Sequence, residues 1–251
     1  DSDETVYIYN NSNNVTVSSS LQIIGPNGDM GGVDMMSAFR YNENANAWVN
    51  LSLSARHLRS EKIVYSAADI DVPTRGDLTY VIDGIIDMGN QPIVVGSGGV
   101  SLRGVGFGVS SLTSSVDNFK LFQSVAGGSG SIELRSLELS LVGANSSHFA
   151  ISDVNGFSAL EWIDVNFQGG SLGYIDGYRQ LFGAAIGMFG MADGLEFRSN
   201  WVGGSKLTDL IVRGMASTAT LFKAGAGLVF NSRFYCDGNI DLIGATSSVC
   251  D

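Results

Sequence analysis

A short pattern recurs through the second half of the chain: a small residue, an aliphatic, a variable residue, then a bulky apolar one. It reads Gly99-Val100-Ser101-Leu102, Ser131-Ile132-Glu133-Leu134, Ala159-Leu160-Glu161-Trp162, Gly194-Leu195-Glu196-Phe197 and Gly227-Leu228-Val229-Phe230. The aliphatic positions 100, 132, 160, 195 and 228 are separated by steps of 32, 28, 35 and 33. Steps of this size mark stacked units, each too small to bury its apolar face alone. Several copies run on to a further aromatic: Phe107, Phe167, Trp201 and Phe234. A second set lies inside the steps, at Phe119–Phe122, His148–Ile151 and Ala219–Phe222. The longest stretch between copies, Gly169–Asp193, reads as an insertion between the third and fourth units.

The units are strands. Ile132 and Leu134, then Leu137, Leu139 and Leu141, alternate with polar residues, and Leu160 and Trp162 are followed by Val165 and Phe167. Turn formers such as Gly127-Gly128-Ser129-Gly130, Gly169-Gly170 and Asp237-Gly238-Asn239 separate these runs. No segment carries apolar residues at helical spacing with a cap at both ends. An all-β parallel solenoid satisfies the pattern: coils stack, like residues pile up inside, and small residues turn the corners. A β-sandwich or jelly roll is the competing architecture. Residues 1–76 lack the repeat, and the first 60 are rich in Asn and Ser. They are expected to form a small β-rich N-terminal domain or adaptor plus linker, with the solenoid over 77–251.

Charge narrows the partners. Fourteen basic against 25 acidic residues give a net charge of −11, and no basic run is present. That balance disfavours nucleic acid and anionic lipid. No stretch reaches the ~18 apolar residues of a membrane helix, so no membrane insertion is expected. The start, Asp1-Ser2-Asp3-Glu4, does not have the form of a secretory leader. Cys236 and Cys250 are compatible with either a short-loop disulfide or two thiols. With His57 and His148 they make no zinc-ligand spacing, so neither metal nor cofactor is expected.

The succession Tyr80–Asp83, Gly84–Met88, Gly89-Asn90, Ile93–Val95, Gly96–Gly99 and Val100–Leu102 resembles the opening coils of bacteriophage tail fibre and tailspike proteins. The resemblance covers about Asp77 to Asp251, and pectate and polysaccharide lyases share the same coil grammar. It implies a right-handed parallel β-helix. It also implies a homotrimer on a virion tail, extracellular, bound to other tail proteins and contacting a host surface polysaccharide. A mean hydropathy of +0.16 is compatible with flanks that pack on sister chains.

Two chemistries follow as expectations. Glu133, Glu161 and Glu196 share one repeat position and would stack as a column of carboxylates. Such a column suits acid/base cleavage of a glycan by a depolymerase, or else a solvated outer face. Aromatic and polar residues around 162–201 suit glycan binding: Trp162, Tyr174, Tyr178 and Trp201 as ring platforms, with Asp176 and Arg179 as hydroxyl partners. A structural virion appendage without receptor function is the third alternative.

Overall fold

The structure is a computed structural model. It describes residues 5–9, 22–24, 36–42, 47–50, 59–106, 108–153, 156–201, 205–225, 228–230, 234–241 and 248–250. Residues 1–60 and 61–251 form two separate compact units. In the first, β1 (Thr5–Tyr9), β2 (Gln22–Ile24), β3 (Met36–Asn42) and β4 (Ala47–Asn50) form a sheet in the order β1-β3-β4-β2. β1 and β4 run antiparallel to β3, and β2 runs parallel to β4. The second unit begins before residue 77: residues 61–76 are built into it. β5 (Ser60–Val64) lies beside β6 (Leu78–Ile82) in one sheet. The amide of Thr74 donates to the Val94 carbonyl at 2.8 Å, and the Tyr80 hydroxyl donates to Asp71 at 2.9 Å.

From β6 onward the chain coils. β6, β7 (Ile85–Asp87) and β8 (Ile93–Val95) make one coil, and β9 (Val100–Gly104), β10 (Ser111–Ser114) and β11 (Lys120–Ser124) the next. Below them the first two strands fuse into one long strand. β12 (Ile132–Leu141) is followed by β13 (Ser147–Ser152), and β14 (Ala159–Gln168) by β15 (Ser171–Asp176). β16 (Gln180–Phe189) is followed by β17 (Asp193–Arg198), a short β18 (Asn200–Trp201), then β19 (Ser205–Arg213) and β20 (Thr220–Ala224). β21 (Val229–Phe230) pairs with β18, and β22 (Phe234–Asp241) and β23 (Ser248–Cys250) follow. The pairings are parallel and build two sheets, one of long strands and one of short strands. This is the parallel β-helix that the sequence predicts.

β12, β14, β16 and β19 each bend at one residue. Ser136, Asp164, Ala185 and Asp209 have φ of 49°, 56°, 56° and 53°, and they stack in a single column. One left-handed residue re-aims the strand without breaking the ladder and shifts its inward phase by one. The inward residues therefore run Leu160, Trp162, then Val165, Phe167; and Leu181, Gly183, then Ile186, Met188. The core is these piled residues. Phe122 stacks on Phe149 (5.2 Å, 12°), and Phe149 stacks on Trp162 (5.3 Å, 16°). The rung beyond Phe149 is Gly173 and the rung beyond Trp162 is Gly183. Ring volume in one coil is thus offset by a missing side chain in the next, which keeps the interior close-packed.

The register corrects the spacing of the repeat. Positions 100, 132 and 160 do form one column, but it continues through Leu181, not Leu195. Leu195 lies in β17 of the short-strand sheet, opposite Gly173 and Phe222, so it belongs with the second set of copies. Leu228 precedes β21 and lies in neither of the two sheets. The segment Gly169–Asp193 is no insertion: it holds β15, β16 and the start of β17.

Candidate functional site

The three glutamates do not form one column. Glu133 pairs in register with Glu161 on the outer face of the long-strand sheet, but the next rung is Phe182. Glu196 lies in the short-strand sheet, in register with Tyr174 and Lys223. The Glu133–Glu161 pair is bridged by one guanidinium. Arg135 donates from Nε to Glu133 and from Nη2 to Glu161, each at 2.6 Å. Both carboxylates are mostly covered, with side-chain exposures of 14% and 18%. Charge-assisted bonds of this kind tie both carboxylates to the one guanidinium. Glu196 is held below the ordinary carboxylate range, chiefly by hydrogen bonds from Arg198 at 2.8 Å. A general acid needs a raised pKa, so this environment pushes Glu196 the wrong way.

Two of the predicted ring platforms lie in the core. Trp162 is fully buried between Phe149 and Phe167. Tyr178 is fully buried too, its hydroxyl 2.7 Å from Ser129 Oγ and donating to the Gly130 carbonyl at 2.9 Å. Neither ring can meet a sugar. Burial pushes the Tyr178 phenol up and keeps it neutral. The side chain of Trp201 falls outside the described residues.

Tyr174, Asp176 and Glu196 do come together, on the outer face of the short-strand sheet. Arg198 organises them. It stands over the Tyr174 ring at 4.0 Å from the centroid and grips Glu196 with two bonds. Asp176 is its partner in register, and Lys223 pairs with Asp193 alongside. The guanidinium occupies one face of the tyrosine, so the cluster holds the strands together through its own charges. Arg179 is exposed in the turn after Tyr178, and its amide donates to the Ser158 carbonyl.

The column of Glu133 and Glu161 continues into residues that the repeat pattern does not mark as a unit. Below Glu161 the long-strand sheet presents Phe182, then Lys206, then Tyr235. Phe182 is 41% exposed and Tyr235 52%. The rings are two rungs apart, ~9.6 Å at the ordinary strand spacing. Lys206 stands between them, its ammonium 5.7 Å from the Tyr235 centroid, and the Tyr235 hydroxyl donates to Asp237 at 3.0 Å. Ile163, Ala184 and Thr208 fill the neighbouring outward column at half-buried positions. The rings therefore stand beside a low track running along the solenoid axis. Outward phase, not aromatic content, is the signal that separates Phe182 and Tyr235 from Trp162.

Among the described residues no group of three or more His, Cys, Asp or Glu side chains is placed to hold a metal ion. Comparison of the chain with family models, with curated proteins and with solved structures finds no match.

Proposed function

We propose that this chain is a subunit of a phage tail fibre or tailspike that contacts a host surface glycan along the Phe182–Lys206–Tyr235 column. The observation that carries the reading is the pair of exposed rings two rungs apart on one parallel sheet. Ring faces bind the C–H surfaces of sugars by apolar contact. An extended β-linked pyranose chain laid parallel to the axis would bring every second residue onto a ring. Lys206 and Asp237 then supply a donor and an acceptor for hydroxyls. The parallel β-helix is compatible with a tail appendage, and the opening coils resemble that family. In such an assembly the chain is a homotrimer attached to other tail proteins. The ion-paired state of Glu133, Glu161 and Glu196 favours binding over cleavage.

The test is binding of the purified chain to an array of bacterial capsular and O-antigen polysaccharides, with light scattering for the mass. Binding that falls about tenfold in Phe182→Ala and Tyr235→Ala, with a mass three times 26.5 kDa, supports the proposal. Release of reducing ends from a bound polysaccharide would replace it with the depolymerase reading. A monomer that binds no polysaccharide sinks it.

A further inference from the structure

The turn that joins the long-strand sheet to the short-strand sheet differs in length from coil to coil, and the difference makes a groove. After β12 the turn spans 142–146; after β14 it is only Gly169-Gly170; after β16 it is 190–192; after β19 it spans 214–219. The shortest turn, 169–170, lies between those at 142–146 and 190–192. The recess has an open volume of about 470 Å³ and runs from Val142–Ser146 on one side to Phe189–Ala192 on the other. Its floor is Gly169 and Gly170, which adopt left-handed φ of 63° and 56°. A Cβ at Gly169 would sit 2.2 Å from the Leu141 carbonyl oxygen, so the floor stays bare.

One wall is a prepared ring. Phe189 points outward in register with Gln168 and Arg213. It is half-buried because it lies over Gly187, where a Cβ would come within 2.4 Å of Phe189 Cε2. The absent side chain leaves room for the ring at this position, and Phe189 lines the groove. Asn145 and Gln168 line the recess with exposed amides, and neither amide bonds to a described residue. No lining residue is charged, in a chain whose net charge is −11.

We infer that this groove binds an uncharged pyranose unit, stacked on Phe189 and hydrogen-bonded by the Asn145 and Gln168 amides. An aromatic residue, two exposed side-chain amides with donors and acceptors, and the lack of charge fit a neutral sugar. A carboxylate or phosphate would find no cation among these residues. Aromatic platforms with a few placed polar groups are the usual construction of small-ligand sites. The groove lies at the opposite end of β16 from Phe182, so it stands or falls separately from the column proposed above.

The experiment is saturation-transfer NMR on the full chain with methyl glucoside, methyl galactoside, methyl mannoside and N-acetylglucosamine, and glucuronate as the charged control. Saturation transfer to at least one neutral sugar, and none to glucuronate, is expected. Phe189→Ala should weaken that binding about tenfold. Ala192→Trp, at an exposed position on the rim, should block it without touching the core. Each variant is compared in the Phe182→Ala/Tyr235→Ala background, where the rings of the column are gone and transfer reports on the groove. Binding that survives both Phe189→Ala and Ala192→Trp, or is lost only in the column variants, overturns the assignment. So does the absence of transfer to all four neutral sugars. If Phe189→Ala does not fold, Gln168→Ala serves in its place, since that side chain is exposed.

Discussion

Replacing Arg135 by Met tests how the outer face of the long-strand sheet is held together. An apolar stem is kept and the charged head is lost, leaving Glu133 and Glu161 on adjacent rungs with no guanidinium between them. At one rung (~4.8 Å) and an effective dielectric of about 20, two carboxylates repel by about 3 kcal/mol. Arg135 is 40% exposed and the two carboxylates 14% and 18%, so water and salt screen part of this repulsion. A loss of about 2 kcal/mol at pH 7 and low salt is the net expectation. Urea unfolding of wild type, Arg135→Met, Glu161→Gln and the double variant forms a complete cycle. In the Glu161→Gln background the Arg135→Met loss should fall to half or less. An equal loss with and without Glu161→Gln would refute the electrostatic account and leave only packing of the arginine stem.

Four further substitutions follow, three in the interior and one, Gly190→Ala, at an exposed turn. His148 is fully buried; its Nε2 bonds to the Gly169 carbonyl at 3.1 Å, and burial lowers its pKa from 6.5 to about 4. The unfolded chain then binds the proton first as pH falls. The stabilisation is complete above pH 6.5 and is lost toward pH 4, a change of about 3 kcal/mol. His148→Gln should flatten the wild-type slope between those pH values in urea titrations; an unchanged slope would assign it to the acidic residues instead. Tyr178→Phe removes the hydroxyl that joins Ser129 to the Gly130 carbonyl, and should cost about 1–2 kcal/mol by denaturant unfolding. Gly194→Ala should cost at least about 3 kcal/mol, because its Cβ would lie 2.0 Å and 2.1 Å from the backbone oxygens of Leu221 and Thr220. Gly190→Ala, with nothing within 4 Å of its Cβ but a φ of 60°, should cost only about 1 kcal/mol. Equal melting points for the two alanine variants would contradict the packing of β17 on β20.

The architecture was legible in the sequence because the inward grammar of a solenoid is simple: small residue, aliphatic, then bulky apolar residue, with turn formers between. The register was less legible for the same reason. Both sheets use that grammar, so a search by pattern alone steps from β14 in one sheet to β17 in the other, and Glu196 joins a column to which it does not belong. Corresponding residues Ser101, Glu133, Glu161, Phe182, Lys206 and Tyr235 are separated by between 21 and 32 residues, because the turns differ in length. A fixed period cannot find them. The bend within each long strand supplies a sharper mark: inward residues at i, i+2, i+5 and i+7. Ile132, Leu134, Leu137 and Leu139 show it, as do Leu160, Trp162, Val165 and Phe167, and Leu181, Gly183, Ile186 and Met188. Leu195 and Phe197 fail it, since i+5 is Asn200.

That phase also decides which aromatics are available for function. Trp162 at i+2 must point in, whereas Phe182 at i+1 and Tyr235, between the partly buried Phe234 and Cys236 that pack on the core, point out. Read along the axis, one outward column changes from Glu133 and Glu161, locked by Arg135, to Phe182, Lys206 and Tyr235. The same strand ladder thus carries a self-satisfied charged segment and an aromatic segment with ring surface open to solvent. Charges that already bond to one another gain little from a ligand, while exposed ring area removed from water gains about 25 cal/mol per Å². Within this column the part with most to gain from a partner is therefore the lower coils, and on the function proposed above a glycan laid along it should bind from Phe182 downward rather than over the glutamates.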